Sequence, residues 1–371
     1  MPHRDPIFGM TVSGFKLGHG YGAKYSYLIR ELINDDRVSL SIVMQHKSKL
    51  GIISKIREFF EIREWCRINH IDWSTVNVFW SVWFVRNQPS IFFASARRAL
   101  MDNPVLALRS LTKVTKVFHM THFMVKTAVI SKNMDLVGAD YIISETQIEK
   151  TSSLFRRMYP NRERQVRVLP FVPADKFIVT KPFSSRNRKA CVAGSLTFFS
   201  GDEDYLSDFF LEYKVDTYHP MRKKIYECVA AGDCEELISS QITIVRDGKR
   251  ISKSNSSKFY DKLDVVDFYN HHMIAISPEE IIGVPSIGFV EAMACGCAFI
   301  GLKSDIYTSL GMIPGVHYLE YDGNIESLKG VIRNALSDVE RLREIAMNGN
   351  TFIKQNFNGA VVAKMLIDYV A

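Results

Sequence analysis

The chain is predicted to fold as two successive α/β domains, and three observations predict it. Its 371 residues exceed the usual span of one hydrophobic core. Apolar runs of strand length alternate with stretches of helical period, the order a parallel sheet requires. The segment from Pro170 to Arg188, rich in Pro, Lys and Ser, interrupts that alternation and reads as the linker.

The first half opens with a strand that runs into Gly14–Gly22 (GFKLGHGYG), followed by a helix in which Tyr27, Leu28, Ile29 and Leu32 recur at helical spacing. Val38–Met44 reads as the next strand, which makes the opening a βαβ unit. Residues 47–67 mix Ile52, Ile53, Ile56, Phe59, Phe60 and Trp65 with Lys and Arg, the pattern of a basic amphipathic helix. Strands are expected at Asn77–Val85, Lys116–His119, Ala139–Ser144 and Gln165–Leu169. Helices are expected at Arg97–Leu111 and from the end of Ala139–Ser144 through Arg157.

After the linker the alternation restarts. Ala190–Gly194, Ile242–Val245, His272–Ser277 and Ala298–Leu302 read as strands. Met221–Ala231, Val265–Asn270, the stretch from Phe289 to Ala294 and Glu326–Ala335 read as helices, and further helices run to Ala371 with no strand after them. The expected domains are 1–175 and 189–350, with 351–371 a C-terminal helix packing back toward the first domain.

Composition excludes several function classes. The hydrophobic share is 47% and the charged share 23%, ordinary for a globular chain and unlike a disordered one. Lys and Arg outnumber Asp and Glu by 47 to 40, which favours anionic partners. The cations are spread along the chain and no basic-aromatic nucleic-acid module is visible, so nucleic acid is not an expected partner. The six cysteines form no zinc-type pair and read as reduced, mostly buried thiols. Residues 1–8 hold no long apolar run, and no stretch reaches the ~18 apolar residues of a membrane span, so the expected location is cytoplasmic.

The richest chemistry lies in Ser277–Leu302, SPEEIIGVPSIGFVEAMACGCAFIGL, where a strand enters a loop, then a helix, then a second strand. Backbone N–H groups of Ser286, Ile287, Gly288 and Phe289 leave that helix start and offer an anion site suited to a diphosphate. Glu291, in the first turn, can accept from ribose hydroxyls, or can simply complement the helix dipole.

PSIGFVEAMACGCAFIG resembles the donor-site signature of the group 1, or family 4, glycosyltransferases, which have the GT-B fold. ADYIISETQIEKTSSLF with VRVLPFVPADKF, and GVHYLEYDGNIESLKGVI, are similar to other stretches of that family. The resemblance implies two Rossmann-like domains with a donor cleft between them and C-terminal helices. It covers most of residues 116–371, and is thinner before them.

It also implies site residues. The family's ribose glutamate matches Glu291. Its sugar-contacting glutamate stands eight residues earlier, where this chain has Gly283, leaving Glu279 or Glu280 as replacement. The first glycine-rich loop, near the donor phosphates, maps onto Gly18, His19, Gly20, Tyr21 and Gly22, with Gly20, Tyr21 and Gly22 the donor-binding candidates. A histidine at a strand end near the transferred sugar maps onto His119 or His122, with His119 preferred. The family's Arg and Lys from the second domain are absent in their usual GRxxxxKG form, and Arg222, Lys223 and Lys224 are the substitutes.

The expected activity is hexose transfer from a nucleoside diphosphate sugar to a hydroxyl of a glycan or lipid-linked glycan, of the O-antigen, capsule or lipopolysaccharide kind. The resemblance implies retention of configuration, and neither a metal nor a cofactor is expected. Three alternatives are weighed with it. Asp202–Glu203–Asp204 can hold a divalent metal and diphosphate, or serve as a plain acidic loop. Residues 47–67 can rest on an anionic membrane at the inner face of the cytoplasmic membrane, or belong to the core. The chain can also be an inactive nucleotide-sugar binding or scaffolding protein.

Overall fold

The computed structural model describes residues 8–13, 15, 17, 25–44, 51–81, 90–102, 105–120, 123, 127–198, 214–246, 249–253 and 263–370. The chain divides into two compact units. One comprises the described residues of Met1–Ser144, Leu154–Val172 and Gly359–Ala371, the other those of Glu145–Ser153 and Pro173–Asn358.

The first unit is built on seven parallel strands: β1 (Phe8–Ser13), β2 (Val38–Val43), β3 (Asn77–Phe79), β4 (Ile91–Ser95), β5 (Thr115–His119), β6 (Tyr141–Ser144) and β7 (Val166–Val168). Their order is β3-β2-β1-β4-β5-β6-β7, which reverses direction between β1 and β4. Strands β4 and β5 are almost wholly buried, as expected of parallel strands covered on both faces. The Ser26–Asn34 helix buries Leu28, Ile29 and Leu32 in the same core as Val362, Ala363, Leu366 and Ile367 of the Gly359–Val370 helix. The Leu, Ile and Val side chains among them each contribute about 1.5–3 kcal/mol on full burial. Tyr369 Oη also donates to the carbonyl of Val168 at 2.9 Å.

The second unit has six strands: β8 (Asn187–Phe198), β9 (Ile238–Arg246), β10 (Lys249–Lys253), β11 (His272–Ile276), β12 (Ala298–Leu302) and β13 (Leu319–Tyr321). They are ordered β10-β9-β8-β11-β12-β13, with β10 antiparallel at the edge and the rest parallel.

Several expectations need correction. The helix expected over Arg97–Leu111 is two helices, Ala96–Asp102 and Val105–Ser110; the sequence places Pro104 between them, which cannot donate an intrahelical bond. The helix expected through Arg157 is likewise two, Ile148–Thr151 and Ser153–Met158, parted by the extended backbone of Ser152. Strands β4, β10 and β13 and the Thr127–Val137 helix were not foreseen. Cys228 and Cys234 form a disulfide instead of remaining thiols. Gly232, at φ +83°, turns the chain back after the Pro220–Ala230 helix and brings the two Cα atoms to 5.6 Å. Cys66, Cys191, Cys295 and Cys297 are buried and free.

The amphipathic segment forms the Gly51–Ile68 helix, while residues 47–50 lie outside the described residues. Its faces divide the aromatic residues. Ile62, Trp65 and Cys66 enter the core, and Phe59 packs edge-on against Trp73. Ile52, Ile53, Ile56 and Phe60 stay exposed, Ile53 at 83%. Among the described residues no helix is long and apolar enough to cross a membrane.

Candidate donor site

In the second unit β11, buried at all five positions, pairs in parallel with β8 and β12. Beyond Ser277 the chain makes a closed loop: the N–H of Glu280 donates to the carbonyl of Val284, and the N–H of Gly283 to that of Glu280, both at 3.0 Å. The Gly288–Ala294 helix follows, with all seven residues buried.

Both ends of this helix are fixed by glycine. A Cβ on Gly288 would lie 2.6 Å from Ser277 Oγ and 3.0 Å from Tyr269 Oη, so any larger residue would push these two hydroxyls away from the helix start. Gly296, at φ +77°, ends it. Nearby, Arg186 Nη2 donates to the carbonyl of Cys295 at 2.8 Å, a cation where the helix dipole is negative. Ser286 and Ile287 stand at the helix start, whereas the Phe289 ring packs into the core against Phe299, Tyr307 and Phe357. Glu291 occupies the first turn and is 8% exposed.

Arg222 reaches this helix start. Its Nη1 donates to the carbonyl of Ser195 at 2.6 Å and its Nη2 to Ser286 Oγ at 3.1 Å. The guanidinium lies over Gly194 of β8, where a Cβ would come within 3.1 Å of it. Gly194 was not singled out in the sequence; the signal was a glycine inside an apolar strand, which marks a close approach by another group. The three cations of the Pro220–Ala230 helix point in different directions, as successive helical residues must. Lys223 pairs with Asp216 at 2.8 Å and lies over the Phe198 ring, while Lys224 lines a pocket described below.

The three acid positions differ sharply. Glu279 is buried, and its Oε1 accepts from the N–H of Leu302 at 2.8 Å and from Tyr307 Oη at 2.5 Å, while Oε2 accepts from Tyr321 Oη at 3.3 Å. Burial holds its pKa above the ordinary carboxylate value against the lowering effect of these bonds. Glu280 stands beside His219, with Oε1 3.7 Å from His219 Nε2. Gly283 has no room for an acid. Its φ is +82°, and a Cβ there would lie 2.3 Å from the carbonyl oxygen of Thr151, whose hydroxyl donates to the Gly283 carbonyl at 2.8 Å.

In the first unit His119 ends β5, fully buried, with its ring centroid 4.3 Å from that of Tyr25 and 6.4 Å from that of Phe15. Gly18, His19, Gly20, Tyr21, Gly22, His122 and Asp202–Glu203–Asp204 lie outside the described residues. Among the described residues no group of three or more His, Cys, Asp or Glu is placed to hold a metal ion.

Glu279, Glu280 and Lys224 also line a pocket of about 550 Å³ at the carboxyl ends of β11, β12 and β13. It contains none of Arg222, Ser286, Gly288 or Glu291.

No protein-family model and no curated protein matches the sequence. Solved structures do match along the whole chain. HepE of Anabaena in complex with UDP-glucose is 13% identical, with 98% of this chain and 99% of that one covered at a TM-score of 0.55. Sucrose-phosphate synthase from Thermosynechococcus elongatus is 10% identical, with 97% and 98% covered at 0.55. An alpha-glucosyltransferase in complex with UDP and a 13-mer DNA is 13% identical, with 98% and 99% covered at 0.50. At such identities the likeness is one of fold: two Rossmann-like units in the GT-B arrangement of elements.

Proposed function

We propose, taking the GT-B fold as premise, that the chain is a glycosyltransferase moving a hexose from a nucleoside diphosphate sugar to a hydroxyl of a glycan or lipid-linked glycan. The observation that carries the reading is the Arg222 guanidinium, lodged over Gly194 and bonded to Ser286 at the start of the helix that bears Glu291. A fixed cation beside a helix start suits the charge that grows on a departing diphosphate. The fold neighbours solved with UDP or UDP-glucose support a nucleotide-sugar donor.

In this reading the bond from the anomeric carbon to the diphosphate breaks and a new one forms to the acceptor oxygen, with retention of configuration. Arg222 and the backbone N–H groups from Ser286 onward stabilise the leaving diphosphate without a metal. Glu291 fixes the ribose. Glu280 is the acid assigned to the donor sugar, because the oxygens of Glu279 are already engaged by Leu302, Tyr307 and Tyr321. His119 is assigned to the sugar hydroxyls from its place at a strand end. Gly20, Tyr21 and Gly22 are assigned to the donor phosphates, and Lys223 is given no direct role, since Asp216 neutralises it. The exposed row Ile52, Ile53, Ile56 and Phe60, beside Lys55 and Arg57, is assigned to the surface of an anionic membrane carrying the acceptor.

Calorimetry with UDP, GDP, ADP and CMP, each with and without EDTA, tests the donor reading. Binding of one nucleoside diphosphate that persists in EDTA supports it; strict dependence on a divalent metal overturns the metal-free part and turns attention to Asp202 and Asp204. Release of free hexose from the matching nucleotide sugar then separates an enzyme from a binding or scaffolding protein.

A further inference from the structure

We propose that the 550 Å³ pocket at the carboxyl ends of β11, β12 and β13 is a second ligand site, which takes a neutral saccharide of the acceptor. The choice of an acceptor saccharide rests on the glycosyl-transfer reading. The choice of a neutral polyol rests on the pocket itself.

Its size falls inside the roughly 300–1,000 Å³ of small-molecule sites. All its lining residues belong to one unit, and none of Arg222, Ser286, Gly288 or Glu291 is among them, although Met221 and Lys224 share the Arg222 helix. Charge decides what it can hold. Glu279, Glu280 and Asp305 oppose Lys150 and Lys224, leaving no excess of cations to receive a phosphate. Two lysines in the wall and the lack of a ligating cluster among the described residues also disfavour a divalent cation.

Hydroxyl groups suit this mixture, because each donates to a carboxylate and accepts from an ammonium at once. Ser304 adds a further hydroxyl at the mouth, next to Asp305. Between the polar groups run apolar surfaces of Met221, Ile281, Ile306 and Tyr321, against which the C–H faces of a pyranose ring can lie. Glu279 is tied to β12 through Leu302 and to the tyrosines at 307 and 321, so it holds this part of the lining rigid, and Glu280 and Asp305 are the carboxylates left to meet a ligand's hydroxyls.

Glu280 gives the pocket its relation to the reaction. It stands in the pocket wall and is the acid assigned to the donor sugar, so a saccharide held here has its hydroxyls beside the group undergoing transfer. Thr151 also lines the pocket, and its hydroxyl is hydrogen-bonded to the Gly283 carbonyl.

Saturation-transfer NMR on the full chain, with maltose, lactose and N,N′-diacetylchitobiose as probes, tests the inference. At least one is expected to bind, to remain bound in saturating UDP, and to weaken at least tenfold in both Lys150→Ala and Asp305→Ala. Both residues are exposed at the mouth, so neither change removes a buried group, and thermal melts confirm that the variants are folded. UDP affinity in both variants is expected to stay within twofold of the parent. Displacement of the saccharide by UDP, unchanged binding in the two variants, or no binding of any probe overturns the inference. If a saccharide binds as expected but no nucleoside diphosphate does, the pocket stands and the donor reading falls. If UDP binds and no saccharide does, the reverse holds.

Discussion

The guanidinium carbon of Arg222 lies 3.1 Å from the point where a Cβ on Gly194 would begin, so the missing side chain at 194 is what admits the cation. Gly194 is at φ +137°, a conformation that costs other residues of order 1–3 kcal/mol. Gly194→Ala is expected to lower the melting temperature and also to weaken about tenfold the binding of the nucleoside diphosphate that the parent takes, with binding of the bare nucleoside unaffected. Calorimetry with both ligands checks it; equal losses for nucleoside and diphosphate would contradict a role at the diphosphate.

Arg222→Lys keeps the charge but cannot bond the Ser195 carbonyl and Ser286 Oγ through one planar fork. Turnover of the nucleotide sugar is expected to fall about 10²–10³-fold, the usual cost of a lost oxyanion-type donor. Steady-state kinetics at saturating donor measures it, and a variant within threefold of the parent sinks the assignment.

The two neighbouring glutamates should separate in stability and activity. Burial raises the pKa of Glu279, so the folded protein holds that proton to higher pH than the unfolded chain does. The group therefore contributes most below the unfolded value of about 4.3, and its contribution is lost as pH rises through the folded value. Glu279→Gln has no such titration. Its melting temperature relative to the parent is expected to rise as pH is raised above about 4.3, and a difference that does not change with pH would refute this. Glu280→Gln is expected to leave that pH profile intact and to cut turnover at least tenfold.

Gly283→Glu restores the acid where the resembling family carries one, yet it is expected to damage the protein. The new Cβ would meet the Thr151 carbonyl at 2.3 Å, at a backbone φ of +82°. A loss of more than about 3 kcal/mol is expected from overpacking and backbone strain together. Urea unfolding tests it, and a stable, more active variant would show that the loop can rearrange.

Ile53→Glu combined with Phe60→Glu places charge on two exposed apolar positions of the Gly51–Ile68 helix. Sedimentation with vesicles of phosphatidylglycerol and phosphatidylethanolamine is expected to capture the parent and to lose most of the double variant, with melting temperature unchanged. Equal capture would leave this face without a membrane role.

The α/β alternation and the helix of the EAMACG stretch were legible because both are written in local sequence: apolar runs of strand length, and glycines at the two ends of a short helix. Gly288 and Gly296 show the type of information available, since each marks a turn or a close approach that the chain nearby dictates. Where meaning depends on residues far away, local reading failed. Glu279 and Glu280 are adjacent and chemically equal in sequence, yet Tyr307, Tyr321 and Leu302 claim the first. Gly283 looked like a missing acid, and the reason is Thr151, more than a hundred residues earlier. Arg222 and Lys223 looked interchangeable until helical geometry sent one to Ser286 and the other to Asp216.

The last helix has a consequence for how the protein is made. Val362, Ala363, Leu366 and Ile367 complete the core around Leu28, Ile29 and Leu32, although over three hundred residues of synthesis separate the two groups. Domains generally fold in order of emergence from the ribosome. Here the first unit waits for residues 359–370, and the Leu28 helix holds an apolar face open until they are translated. Deleting those residues would thus strike the amino-terminal unit, although they follow the whole of the second one.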